Sequence, residues 1–169
     1  MKIEGRCHRF GDNVSTDDII AEKYKSRLMD VEALLPHLME NLDGNFAKRL
    51  KKGDFIVAGK NFGTGSSREI APLVIRSAGC GAVLAKSFAR IFYRNSFNIG
   101  LRILECDTTD IAYGDYLIVD PISGDIQNRS QNKILHYKPF PRQMKEILQE
   151  GGLIAYFKKY GKFPKVSNT

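Results

Sequence analysis

Between residues 54 and 106 short apolar runs alternate with longer amphipathic stretches. DFIVAG (54–59), AVLAKS (82–87) and RILEC (102–106) have the length and composition of buried strands. The segments 66–79 and 87–98 carry apolar residues at helical spacing, the first ending at Gly79. Strand–helix–strand order favours parallel pairing, because a parallel connection needs a crossover. The spacing therefore predicts an α/β fold around a central parallel sheet.

The flanks add detail. Residues 2–10 read as an edge or opening strand, and 116–120 as a further strand. ISGDI (122–126) has the form of a hairpin turn, with 132–137 as its return strand. Apolar residues between 31 and 42 lie at helical spacing, but Pro36 requires a kink, a later start or a shorter helix. The region after 107 thus reads as hairpin β followed by helices over 141–151 and 153–161, with a frayed end at 162–169. No repeat or low-complexity linker divides the 169 residues, which are read as one domain. No apolar run approaches the ~20 residues that cross a bilayer. The N-terminus is too polar for a secretory signal, so the expected location is cytoplasmic.

Two compositional facts limit function. Cys7, Cys80 and Cys106 are 73 and 26 residues apart with no C-x-x-C pair, and His37 and His136 are remote from the Cys7–His8 neighbours. Buried reduced thiols, and no metal site within this chain, are the expectation. The net charge is +7, and residues 133–169 hold eight lysines and arginines against two glutamates. A solvated basic surface explains that excess, as would an acidic substrate, an acidic partner subunit or an RNA. Tyr156, Phe157 and Tyr160 stand at helical spacing and read as core rather than as a base-stacking platform.

The densest chemical signal is Gly59-Lys60-Asn61-Phe62-Gly63-Thr64-Gly65-Ser66-Ser67-Arg68-Glu69, where a strand passes through a glycine-rich turn into a helix. A phosphate loop would need Ser or Thr where Asn61 stands, and a dinucleotide fingerprint would need glycine where Arg68 stands. Ser66 to Glu69 fits a capping box, yet a cap requires neither a second serine nor an arginine and three glycines. Unpaired N–H groups, two hydroxyls and a guanidinium at one helix start suit an anion, with a carboxylate as the natural ligand.

GKNFGTGSSRE, with KSFARIFYRNSFNIGL at 86–101 and GDNVSTDDII at 11–20, resembles the small subunit of 3-isopropylmalate dehydratase, the stand-alone swivel domain of the aconitase superfamily. The resemblance runs from about Gly5 to Gly161. It implies a three-layer β/β/α swivel domain with a central parallel sheet and an additional antiparallel part. It also implies a hydro-lyase that moves a hydroxyl between neighbouring carbons of a hydroxy di- or tricarboxylic acid and is inactive without its partner. By the same resemblance a [4Fe-4S] cluster is held by a large subunit, in a heterodimer or heterotetramer. Ser66 matches the serine base, Arg68 a carboxylate-binding arginine with Ser67 beside it, and Asp17 an acidic neighbour of the site.

Substrate choice falls to the loop after STDD, where Lys25 and Arg27 replace the apolar pattern that many relatives carry. Isopropylmalate is the commonest substrate of such subunits, with homoaconitase-type and dimethylmalate-type acids as alternatives. Ile70 stands where many relatives have histidine, outside the hydroxyl–guanidinium cluster. Arg90 and Arg94, one helical turn apart, read equally as helix surface, subunit contact or substrate ligands. An RNA-binding module and a regulatory domain that senses a free carboxylic acid are the non-enzymatic readings.

Overall fold

The computed structural model describes residues 2–27 and 30–164, with the side chains of 25–27 also outside the description. In chain order the strands are β1 (Ile3–Arg9), β2 (Phe55–Val57), β3 (Ala82–Ala85), β4 (Ile103–Glu105), β5 (Tyr116–Asp120), β6 (Asp125–Asn128) and β7 (Lys133–His136). The helices are α1 (Thr16–Ile19), α2 (Val31–Leu34), α3 (Phe46–Arg49), α4 (Ile70–Ser77), α5 (Arg90–Ile99), α6 (Arg142–Gln149) and α7 (Leu153–Tyr160).

One sheet takes in all seven strands in the order β4-β3-β2-β1-β5-β6-β7. Strands β1 to β4 are mutually parallel, whereas β5, β6 and β7 run antiparallel, starting from β1. The two outer ends of the sheet meet again: Cys106 bridges Tyr137, and the Lys138 amide donates to the Glu105 carbonyl at 2.8 Å. The sheet therefore curls until its parallel and antiparallel halves face each other.

Strand alternation sorts the apolar residues into two cores. Phe55, Val57, Leu84 and Leu104 point between the halves, where they meet Leu117, Val119 and Ile126. Ile56, Val83 and Ile103 point the other way and pack with Val74, Ile75, Phe92 and Phe62 under the helices. This is the β/β/α layering, and it explains why the parallel strands are apolar on both faces.

Several sequence expectations are corrected. Strand β1 is not an edge: it lies mid-sheet, with parallel β2 on one side and antiparallel β5 on the other. The return strand of the first hairpin is β6, not 132–137; DIQN is too polar to signal a strand, and it pairs through its backbone with only Ile126 and Asn128 buried. Segment 132–137 forms the third strand, β7. The 31–42 pattern yields a single α-turn, then a 3-10 turn (Leu35–His37) carrying Pro36. Helix α4 starts at Ile70, placing Pro72 in its first turn, where no intrahelical N–H is required. Nor are Phe157 and Tyr160 core: they are 47% and 44% exposed, and α7 buries no residue fully. Tyr156 rests on Tyr160, and Phe157 on Phe163. Residues 165–169 of the expected frayed tail lie outside the described residues.

Candidate active site

Loops leaving β2 and β3 at their C-terminal ends meet the turn that follows β1, the usual position for chemistry in a parallel α/β sheet. Backbone hydrogen bonds knit the three together. The Gly63 amide donates to Val14 (2.7 Å), Thr16 to Thr64 (2.8 Å), Phe62 to Ser87 (3.0 Å) and Ala89 to Phe62 (2.9 Å). Gly63 has φ of 80°, and a Cβ there would lie 2.2 Å from the Phe92 ring, so only glycine lets α5 pack this close to the loop. Gly65, at φ of 97°, then turns the chain outward into Ser66.

Helix α1 begins with a complete capping box. The Ser15 side chain accepts from the Asp18 amide, while the Asp18 carboxylate accepts from the Ser15 amide and hydroxyl. The Thr16 hydroxyl, buried, donates to the Ser66 carbonyl at 3.0 Å. The Ser66–Glu69 box suggested by the sequence does not form, because α4 starts four residues later and Glu69 makes no side-chain cap. Ser66 and Ser67 thus stand ahead of the helix, not in its first turn.

Arg68 is the hub. Its Nε donates to Ser66 Oγ at 2.9 Å and its Nη1 to the Ile20 carbonyl at 3.1 Å. Its Nη2 lies 2.6 Å from Asp17 and 3.9 Å from Glu22. The guanidinium side chain is 11% exposed, so these contacts are only partly screened by water. Ser66 is exposed and lines an open cleft of about 630 Å³ with Gly63, Thr64, Gly65, Ala89, Arg90, Ile91 and Arg94.

A second cleft of about 430 Å³ includes Arg9, Asp12, Lys86 and Tyr113. Its cations are occupied: Arg9 donates to the Thr108 and Ile111 carbonyls, and Lys86 to Thr109. The Ser66 cleft is the one in which an exposed hydroxyl stands beside uncommitted cations.

Residues 6–109 match the family described as the aconitase C-terminal domain. The 3-isopropylmalate dehydratase small subunit 2 of Archaeoglobus fulgidus is 51% identical over 161 residues, spanning 95% of this chain and 98% of the relative. Small subunit 1 of Thermotoga maritima is 47% identical over 97% of this chain and 99% of its own length. The crystal structure of a 3-isopropylmalate dehydratase from Methanocaldococcus jannaschii superposes with a TM-score of 0.91 at 46% identity, covering 95% of this chain and 96% of that one. The chain belongs to the family of 3-isopropylmalate dehydratase small subunits.

Members of this family are hydro-lyase subunits, and the fold is that of the aconitase swivel domain. Of the residues singled out in the sequence, Asp17, Ser66 and Arg68 are brought into one cluster, with Ser67 exposed beside them and without a hydrogen bond among the described residues. The side chains of Lys25 and Arg27 lie outside the described residues. Ile70 opens α4 and packs on the helix-side core, away from the hydroxyls. Arg90 and Arg94 sit on the same cleft as Ser66. Sequence reasoning offered Thr16 only as a possible cap of a short helical turn and missed its bond to the Ser66 backbone, and it missed the Ile20 carbonyl, which a side-chain pattern cannot reveal.

The cysteines are ill suited to an iron–sulfur cluster. All three are free and buried, Cys80 in the helix-side core and Cys7 and Cys106 in the core between the two halves of the sheet. Burial pushes the thiols up, to about 11 at Cys7 and about 12 at Cys80 and Cys106, opposite to what a metal thiolate needs. No group of three His, Cys, Asp or Glu side chains among the described residues could hold a metal ion. No helix among them is long and apolar enough to cross a membrane.

Proposed function

We propose that this chain supplies the proton-transfer half of a two-subunit 3-isopropylmalate dehydratase, with Ser66 as the base. The observation that carries this reading is the 2.9 Å hydrogen bond from Arg68 Nε to Ser66 Oγ at the wall of an open cleft. A serine hydroxyl is a weak base unless its anion is stabilised, and a partly buried guanidinium aimed at that oxygen provides the stabilisation. Asp17 and the Ile20 carbonyl hold the guanidinium in place, and Thr16 holds the Ser66 backbone.

In the dehydration step the Ser66 alkoxide takes the proton from the carbon next to a carboxylate and becomes the neutral hydroxyl. The C–H electron pair becomes the new double bond, and the hydroxyl on the adjacent carbon leaves with its own bonding pair. Rehydration reverses these steps with the positions exchanged: Ser66 returns the proton to the carbon that lost the hydroxyl, and hydroxide adds to the carbon that lost the proton. The resemblance also assigns Arg68 to a substrate carboxylate, a role for which Nη2 would exchange Asp17 for substrate. A [4Fe-4S] cluster, held by the large subunit, supplies Lewis-acid polarisation of the departing hydroxyl. Ser67 is the second hydroxyl at the site, and Lys25 and Arg27 are the specificity positions that separate isopropylmalate from longer acids.

The test is reconstitution with the large subunit under anaerobic conditions, following absorbance of the unsaturated acid. Ser66→Ala should lower turnover by about 10³-fold or more while the complex still assembles. Full turnover by that variant would remove Ser66 as the base. A panel of isopropylmalate, homoaconitate, citraconate and dimethylmalate reads the substrate.

A further inference from the structure

Arg68 cannot serve both ends of a diacid. Its Nε is on Ser66, its Nη1 on the Ile20 carbonyl and its Nη2 on Asp17, with Glu22 close behind. Two carboxylates already surround this one guanidinium, so a substrate carboxylate must compete for it. At most one can be accommodated there. A hydroxy diacid brings two, and the second is free to meet another cation on the same cleft.

The α5 wall carries two such cations. Arg90 and Arg94 are one turn apart on the same helix face, both exposed and both lining the cleft with Ser66. Neither has a hydrogen bond or ion pair among the described residues, unlike Arg68, Arg9 and Arg49, which are all engaged. Phe92, two residues after Arg90, is buried against Phe62 and Phe88 and anchors this wall to the loop that carries Ser66. Gly63 allows that close approach, which brings the arginines and the Ser66 loop to one corner of the cleft. Helix α5 also starts without a side-chain cap, leaving its first-turn amides unneutralised.

We propose that Arg90 and Arg94 bind the substrate carboxylate that Arg68 does not take. The proposal rests on the hydro-lyase reading and adds to it a second anion-binding position, which fixes the orientation of a dicarboxylate across the cleft. Planar guanidinium groups suit such a ligand because each offers paired donors to a carboxylate.

The experiment uses the reconstituted complex with the large subunit at saturation and compares Arg90→Gln, Arg94→Gln and the double variant. Each single change should raise KM for the hydroxy diacid about 10-fold or more with kcat within about 3-fold, the pattern of lost uniform binding. Inhibition by malonate, a simple diacid, should weaken in parallel, and Arg94→Lys should recover part of the loss. Unchanged KM and unchanged malonate inhibition would overturn the proposal. So would a defect confined to titration with the large subunit, since the arginines would then contact the partner. Full turnover by Ser66→Ala would instead sink the base assignment while leaving the malonate result to judge the arginines on its own.

Discussion

The parallel and antiparallel halves of the sheet solve different problems. Strands β2 and β3 are buried on both faces, pressed between the helices and the opposing half. Strands β5 and β6 alternate buried and half-buried residues, and β7 buries none of its residues fully, leaving Ile134 63% exposed. The doubly covered half can afford irregular loops at its strand ends, because packing rather than loop chemistry holds those ends in place. Ser66 and Arg68 lie on such a loop, and Arg90 and Arg94 on the helix that follows the next one. The half with one wet face offers its apolar side as a lid for the second core and carries none of the candidate chemistry.

Substitutions in the two halves should therefore differ sharply. The largest effect is expected from Phe92→Ala, which removes a ring 5.3 Å from Phe62 and the support beneath the α5 wall. It should cost about 3–5 kcal/mol by denaturant titration, and turnover of the reconstituted complex should fall with it. A loss under 1 kcal/mol would mean that the helix-side core does not govern the site.

An intermediate effect concerns acid. Burial alone would raise the Glu40 carboxyl, but hydrogen bonds from Lys23, His37 and Tyr24 outweigh it and hold the group at about 2 against an ordinary 4.5. A depressed carboxyl contributes stability that is complete above its unfolded-state value and is lost as pH falls through its folded-state value. The Glu40 contribution should accordingly vanish between pH 4.5 and about 2. Glu40→Gln should flatten the stability profile in that window, as read by urea midpoints at stepped pH. An unchanged slope would show that the cluster around Glu40 is not formed in solution.

The smallest effect is expected at the wet face of the antiparallel half. Ile134→Ser should change stability by less than about 0.5 kcal/mol and leave kinetics unaltered. A large loss there would mean that this face is covered by another chain.

Much of this architecture was legible because it depends on local pattern. The runs at 54–59, 82–87 and 102–106 read as buried strands by length and composition, and the intervening helices favoured parallel pairing. What could not be read depended on partners distant in sequence. DIQN gives no strand signal, and it becomes β6 because β5 and β7 offer backbone on both sides. The α7 aromatics look like core by spacing, but among the described residues no further layer covers Phe157 and Tyr160. At the site, the sequence supplied Ser66, Arg68 and Asp17 as candidates but misassigned their setting. It suggested a helix cap at Ser66, whereas α4 starts only at Ile70 and has no side-chain cap.

The amino-acid sequence by itself determined the kinds of element, their order, the glycine-rich turn and the absence of closely spaced thiols. These follow from side-chain periodicity and backbone sterics within a few residues. Only the tertiary structure decided that β1 joins the two halves, that Arg68 is already held by Asp17 and Ile20, and that Arg90 and Arg94 stand uncommitted on the Ser66 cleft. Those facts turn on which groups meet across tens to more than a hundred residues of chain, where burial and charge pairing, rather than local preference, set the outcome.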